Sequence, residues 1–166
     1  MKNDKNIVVI AHNIRSALNV GSMFRICDGA GVKKLYLTGY TPYPRVKNDK
    51  RLNFEIENTE KKIKKSGLDG FKHVSFEHVK NLQELIIDLK KENFEILALE
   101  ESKDSKNIYD YTITKNSAII VGNEVEGIEE SILNLSDEIL KIPMLGKGKS
   151  LNVGVSLGIG IYLLKR

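Results

Sequence analysis

The sequence predicts an α/β fold: a mostly parallel sheet with helices on both faces. Three observations predict it. Short runs rich in Ile, Val and Leu recur along the chain without polar alternation, as expected of strands buried on both sides. Between them lie segments with apolar residues at helical spacing. The two kinds of segment alternate, the pattern of strand–helix–strand units.

The elements follow in order. Residues 7–11, IVVIA, form a β-branched run bounded by polar residues and read as a buried strand. Residues 19–29 place Val20, Met23, Phe24 and Cys27 at helical spacing, and Gly29 and Gly31 end that helix. Residues 34–38 read as a strand. Residues 39–66 read as irregular and basic, because Pro42 and Pro44 limit regular structure. A strand over 73–76 and an amphipathic helix over 79–91 come next, then strands over 95–99 and 117–121. A polar, glycine-containing turn follows the latter. Residues 128–135 read as a short helix, 139–142 as a strand, and 151–164 as the closing helix. With no internal repeat and no linker, residues 1–166 read as one domain without a separate RNA-binding extension.

Composition narrows the class. The apolar share of 41% and charged share of 29% are those of an ordinary globular protein. The longest apolar run, 151–164, falls short of the roughly 20 residues that span a membrane. The N-terminus lacks the apolar stretch of a secretory signal. The lone Cys27 excludes an internal disulfide and suits a reducing cytoplasm. No Cys/His cluster has metal-ligand spacing, so no structural zinc is expected. Residues 1–65 carry 14 Lys/Arg against 6 Asp/Glu, whereas residues 66–166 carry 12 against 16. The first portion thus has the sign to face a polyanion, or is the solvated surface of a lysine-rich chain.

Ligands of parallel sheets sit beyond the carboxyl ends of the strands. Three loops there carry unusual chemistry: residues 13–25, 121–127 and 142–154. Gly148-Lys149-Ser150 ends like a phosphate-binding loop, but the first glycine of that motif would fall on Pro143. Proline lacks an N–H and fixes φ, so the cradle would lose a donor. Gly154, Gly158 and Gly160 lie inside the final helix and mark close packing, either within the chain or between copies.

Taken together, the three loops resemble the SpoU (TrmH-like) branch of the SPOUT RNA methyltransferases. The first motif, N-x-G-x-x-x-R, is carried by Asn19, Gly21 and Arg25; the second, G-N-E-x-x-G, by Gly122, Asn123, Glu124 and Gly127. The third, I-P-M, a loop, then S-L-N-V, is carried by Ile142, Pro143, Met144, Ser150, Leu151, Asn152 and Val153. Gly154 and Ser156 depart from the Ser and Ala of many members, and residues 45–70 match poorly.

The resemblance implies a C-terminal deep trefoil knot that holds S-adenosylmethionine. Leu99, Gly122, Asn123, Ile142, Met144 and Leu151 would bind the cofactor. It also implies a homodimer through the final helix and methyl transfer to a ribose 2′-hydroxyl, of tRNA rather than rRNA. Arg25 would act as base or as organiser of the ribose and its phosphate. Because guanidinium stays charged, stabilisation of the developing alkoxide is the favoured role. Asn19 would position Arg25 or the ribose, Glu124 would hold amide or backbone donors, and Ser150 and Asn152 would orient hydroxyl and cofactor. The alternative is a homologue that binds RNA or cofactor without catalysis.

Plainer roles stay open. Asn19 and Ser150 could be helix caps, Arg25 a surface charge, and Glu124 and Glu126 solvated turn residues. Cys27 reads as packing, and His12, His73 and His78 as structural or exposed. Tyr40, Tyr43 and Phe54 are interleaved with Arg45, Lys47, Lys50, Arg51, Lys61, Lys62, Lys64 and Lys65. That mixture suits stacked bases and phosphates, or a basic surface with anchoring aromatics.

Overall fold

The computed structural model describes residues 5–166. Its elements are β1 (Ile7–His12), α1 (Ala17–Gly29), β2 (Lys34–Thr38), α2 (Asn53–Gly67), α3 (Gly70–His73), β3 (Ser75–Val79) and α4 (Leu82–Lys91). There follow β4 (Glu95–Leu99), β5 (Lys106–Asn107), a 3₁₀ turn (Ile108–Asp110), β6 (Ser117–Val121), α5 (Glu130–Leu133), β7 (Glu138–Lys141) and α6 (Val153–Leu164). The strands form one sheet in the order β3-β2-β1-β6-β4-β7-β5. All its pairings are parallel. β7 lies between β4 and β5 although it follows both in the chain.

The unalternating runs are the central strands, and every residue of β1 and β6 is buried. Ile7, Val9 and Ala11 face α1 and α6, where Val20, Met23, Phe24, Leu157 and Ile161 complete one core. Val8 and Ile10 face Leu82, Leu85, Ile86 and Leu89 of α4, with Ile128 and Ile132. Phe24 meets Phe71 and Phe76 edge to face, at centroid distances of 5.5 and 5.9 Å.

One expectation is corrected. Residues 39–66 are not irregular throughout, because α2 begins at Asn53. Its sequence is charged, and its buried residues are only Ile56, Ile63 and Gly67, a stripe too thin to stand out. The helix docks by backbone approach instead. A Cβ on Gly21 would collide with Ser66 Oγ and the Ile63 carbonyl, so the glycine of the first motif is a packing requirement. The glycines of α6 also pack within the chain: Gly154 lies against Ser22 and Ile26, Gly158 against Ile26, and Gly160 against Leu99. The outer edge of α6 leaves Val155 and Tyr162 exposed. Among the described residues, no helix is long and apolar enough to cross a membrane.

Candidate active site

The loops after β4, β6 and β7 meet at the carboxyl edge around a cleft of about 450 Å³, within the usual range of small-molecule sites. Leu99, Gly122, Asn123, Ile142, Met144 and Leu151 all line it, as do Glu124, Ser150 and Asn152. Asn19 does not line it but is bonded to two residues that do.

Those bonds join the three motifs. Glu124 sits at the N-terminus of α1, where orphan N–H groups and the helix dipole favour an anion. Its Oε2 accepts from Arg15 N at 2.9 Å, and its Oε1 from Ser16 N at 3.2 Å and Asn19 Nδ2 at 2.8 Å. Burial pushes the carboxyl up, but the hydrogen bonds from Arg15, Asn19 and Ser16 outweigh it and hold Glu124 below its ordinary pKa. Asn19 Oδ1 in turn accepts from Asn152 Nδ2 at 3.2 Å. Asn152 caps α6, its Oδ1 accepting from Gly154 N at 2.9 Å. The caps are therefore Ser16 for α1 and Asn152 for α6, not Asn19 and Ser150.

The loop after β6 is rigid for reasons visible in its sequence. Asn123 Oδ1 accepts from Val125 N and Glu126 N, both at 2.8 Å, closing the turn. Asn123 Nδ2 donates to the Asn13 carbonyl at 3.0 Å and to Tyr40 Oη at 2.7 Å. The Asn123 backbone is engaged as well, its N–H donating to the Gly127 carbonyl at 3.1 Å and its carbonyl accepting from Gly127 N at 3.0 Å, so side chain and main chain both fix the turn. Gly127 has φ +73°, and a Cβ on Gly122 would lie 2.6 Å from its carbonyl oxygen.

Sequence reasoning missed Glu100, Glu101 and Lys141, which also line the cleft, beside Lys149 of the third loop. Glu100 accepts from Ile128 N at 3.0 Å and Glu101 N at 3.0 Å, bridging β4 to the second motif. Its place just beyond a strand's carboxyl end was the signal that could have found it. His12 is structural, buried between Thr38 Oγ1 at 2.8 Å and Glu129 Oε2 at 3.0 Å.

Two placements differ from expectation. Arg25 does not reach the cleft of its own chain and lies exposed on α1. Six residues past Asn19 is about 240° around a helix and ~9 Å along it, so the two side chains leave different faces. Tyr43 is no free stacking platform: His78 stacks on it at 3.7 Å, and the Arg51 guanidinium lies 3.6 Å from its centroid. Arg51 donates to the Tyr43 and Pro44 carbonyls and to Asp49, so it clasps the loop. Among the described residues, no group of three or more His, Cys, Asp or Glu is placed to hold a metal ion.

Fold and site together define a parallel α/β protein with a small-molecule cleft where three sequence motifs converge. The chain belongs to the SpoU rRNA Methylase family, whose model matches residues 6–162. It is 31% identical over 166 residues to a tRNA (guanosine(18)-2′-O)-methyltransferase of Aquifex aeolicus, covering 99% of this chain and 71% of that one. The corresponding enzyme of Thermus thermophilus is 27% identical over 161 residues, covering 97% and 75%. The crystal structure of the A. aeolicus TrmH/SpoU tRNA modifying enzyme superposes with a TM-score of 0.79 at 29% identity, covering 99% of this chain and 76% of that one.

Proposed function

We propose that this methyltransferase uses S-adenosylmethionine to methylate a ribose 2′-hydroxyl of RNA, with tRNA the favoured substrate. The single observation that carries the reading is the chain of side-chain bonds Glu124–Asn19–Asn152, which ties all three motifs to the wall of one cleft. The lining fits the cofactor. Leu99, Ile142, Met144 and Leu151 offer apolar contact for adenine, and Ser150, Asn152 and the Gly122 backbone offer polar groups for the amino acid part. The relatives above are named as tRNA methyltransferases, which favours tRNA. A C-terminal deep trefoil knot belongs to this reading, and the insertion of β7 between two strands that precede it in the chain supports it.

S-adenosylmethionine, when bound, supplies an activated methyl group. The chain must align the ribose and stabilise the alkoxide as its proton leaves. Arg25 supplies that stabilisation in this reading, with water or an RNA phosphate taking the proton. Since Arg25 stands outside its own cleft, it serves the cleft of a second copy. Such a homodimer would pair across the exposed apolar edge of α6, with Val155 and Tyr162 in the contact.

The test is transfer of labelled methyl to total RNA, followed by mapping of the modified nucleotide. Transfer to a 2′-hydroxyl is expected, with tRNA the main acceptor. Cofactor binding without transfer to any RNA would leave only a binding homologue. Mixing Arg25→Ala with Glu124→Gln subunits tests the shared site: mixed dimers regain activity only if Arg25 acts across the interface.

A further inference from the structure

We propose that a second cleft, between Tyr40 and Phe54, receives the base of an RNA nucleotide next to the reaction centre. This rests on the RNA reading above. The cleft holds about 480 Å³ and is lined by Tyr40, Tyr43, Phe54, Asn58, Thr59 and His78 among others. Two of its aromatic residues are open to solvent, Tyr40 at 58% and Phe54 at 67% exposure, and they line the same cleft rather than standing singly on the surface.

The rings differ in what holds them. Tyr43 forms a fixed back wall, pinned between Arg51 and His78. Tyr40 is anchored through its hydroxyl to Asn123, and Asn123 lines the cofactor cleft. The two clefts are therefore separated by one hydrogen bond. A base held on Tyr40 would keep its own ribose beside the cofactor cleft. Phe54, in the first turn of α2, leaves two-thirds of its surface open to the cleft's solvent side.

Charge selects a base rather than a phosphate. Among the described residues the cleft's lining holds one Lys or Arg, Arg51, already engaged by Asp49 and two carbonyls, and Glu55 lines the same space. Phosphate would be repelled there. Asn58 and Thr59 can instead meet the polar edge of a base, while the exposed Arg45, Lys47 and Lys50 of the adjoining loop can take the backbone.

Fluorescence anisotropy with labelled ten-nucleotide oligouridine and its abasic counterpart tests the cleft. Wild-type protein should prefer the base-bearing strand. Phe54→Ala should weaken that strand's binding roughly fivefold to a hundredfold, the scale of one base–aromatic stack, and leave abasic binding and S-adenosylmethionine titration unchanged. Tyr40→Phe should keep the preference, whereas Tyr40→Ala should lose it. In methyl-transfer assays Phe54→Ala should raise the RNA KM and spare kcat. Equal loss for both strands, or an unchanged KM, overturns the base cleft. A dimer that falls to monomer in Phe54→Ala also overturns it, because the surface would then be a contact between copies. Failure of the methyltransferase reading looks different: wild-type protein would prefer bases yet transfer methyl to no RNA.

Discussion

Replacing Glu124 with Gln removes one acceptor oxygen and the negative charge at the start of α1, while keeping the side chain's shape. The wild-type carboxylate accepts three hydrogen bonds. The one from Arg15 N is exposed and water can replace it, so it adds little. Gln keeps Oε1 for Ser16 N and Asn19 Nδ2, but those two bonds lose their charge assistance, which costs about 1 kcal/mol, and loss of the charge at the helix N-terminus costs about 0.5 kcal/mol more. The sum, ~1.5 kcal/mol, lowers Tm by roughly 3–6 °C for a chain of this size. Differential scanning calorimetry reads that shift. A double-mutant cycle of Glu124→Ala with Asn19→Ala, which does remove the bond, should show a coupling of about 1 kcal/mol, because the two side chains bond directly. The pH dependence has a definite sign. Glu124 has a folded pKa below its ordinary value, so its contribution is fully present above the ordinary glutamate range. That contribution disappears as pH falls through the lowered value, and Glu124→Gln should flatten this part of the acid profile. A variant melting within about 1 °C of wild type, with additive effects in the cycle, would refute the reasoning.

Other outcomes follow from the same geometry. Asn152→Ala removes the cap of α6 and should cost about 1 kcal/mol in chemical denaturation, with Asn152→Asp restoring most of the cap but not the bond donated to Asn19. Gly122→Ala puts a Cβ 2.6 Å from the Gly127 carbonyl and Ile128 Cγ1, and should destabilise by ~1–3 kcal/mol and weaken cofactor binding measured by calorimetry. Burial pushes the Cys27 thiol up to about 12, so it should resist thiol reagents at neutral pH until the protein is unfolded.

Most of the fold was legible in the sequence because the central strands are buried on both faces, and such strands show as unbroken Ile, Val and Leu runs. The exceptions are instructive. α2 was hidden because its Gly67 end docks on Gly21 by backbone contact, which leaves only Ile56 and Ile63 as a buried apolar stripe. β5 was hidden because two residues carry no periodicity. Among the site residues, those chosen for the cofactor surround one cleft, since motif loops at strand ends must converge there in a parallel sheet. Arg25 does not, because residues six apart on a helix diverge.

The class of sheet, the three loops that carry chemistry and the exclusion of a phosphate cradle by Pro143 could all be read from the residues alone. Those are properties of local pattern and residue type. It took the packed fold to make Glu124, Asn19 and Asn152 one chain of bonds, to choose Ser16 and Asn152 as the caps, and to spend Tyr43 and Arg51 on each other while Tyr40 and Phe54 stay open. Each of these joins residues far apart in the chain or chooses among equivalent partners. Hydrogen bonds and stacks form by proximity and direction, and long-range proximity is set by how the elements pack.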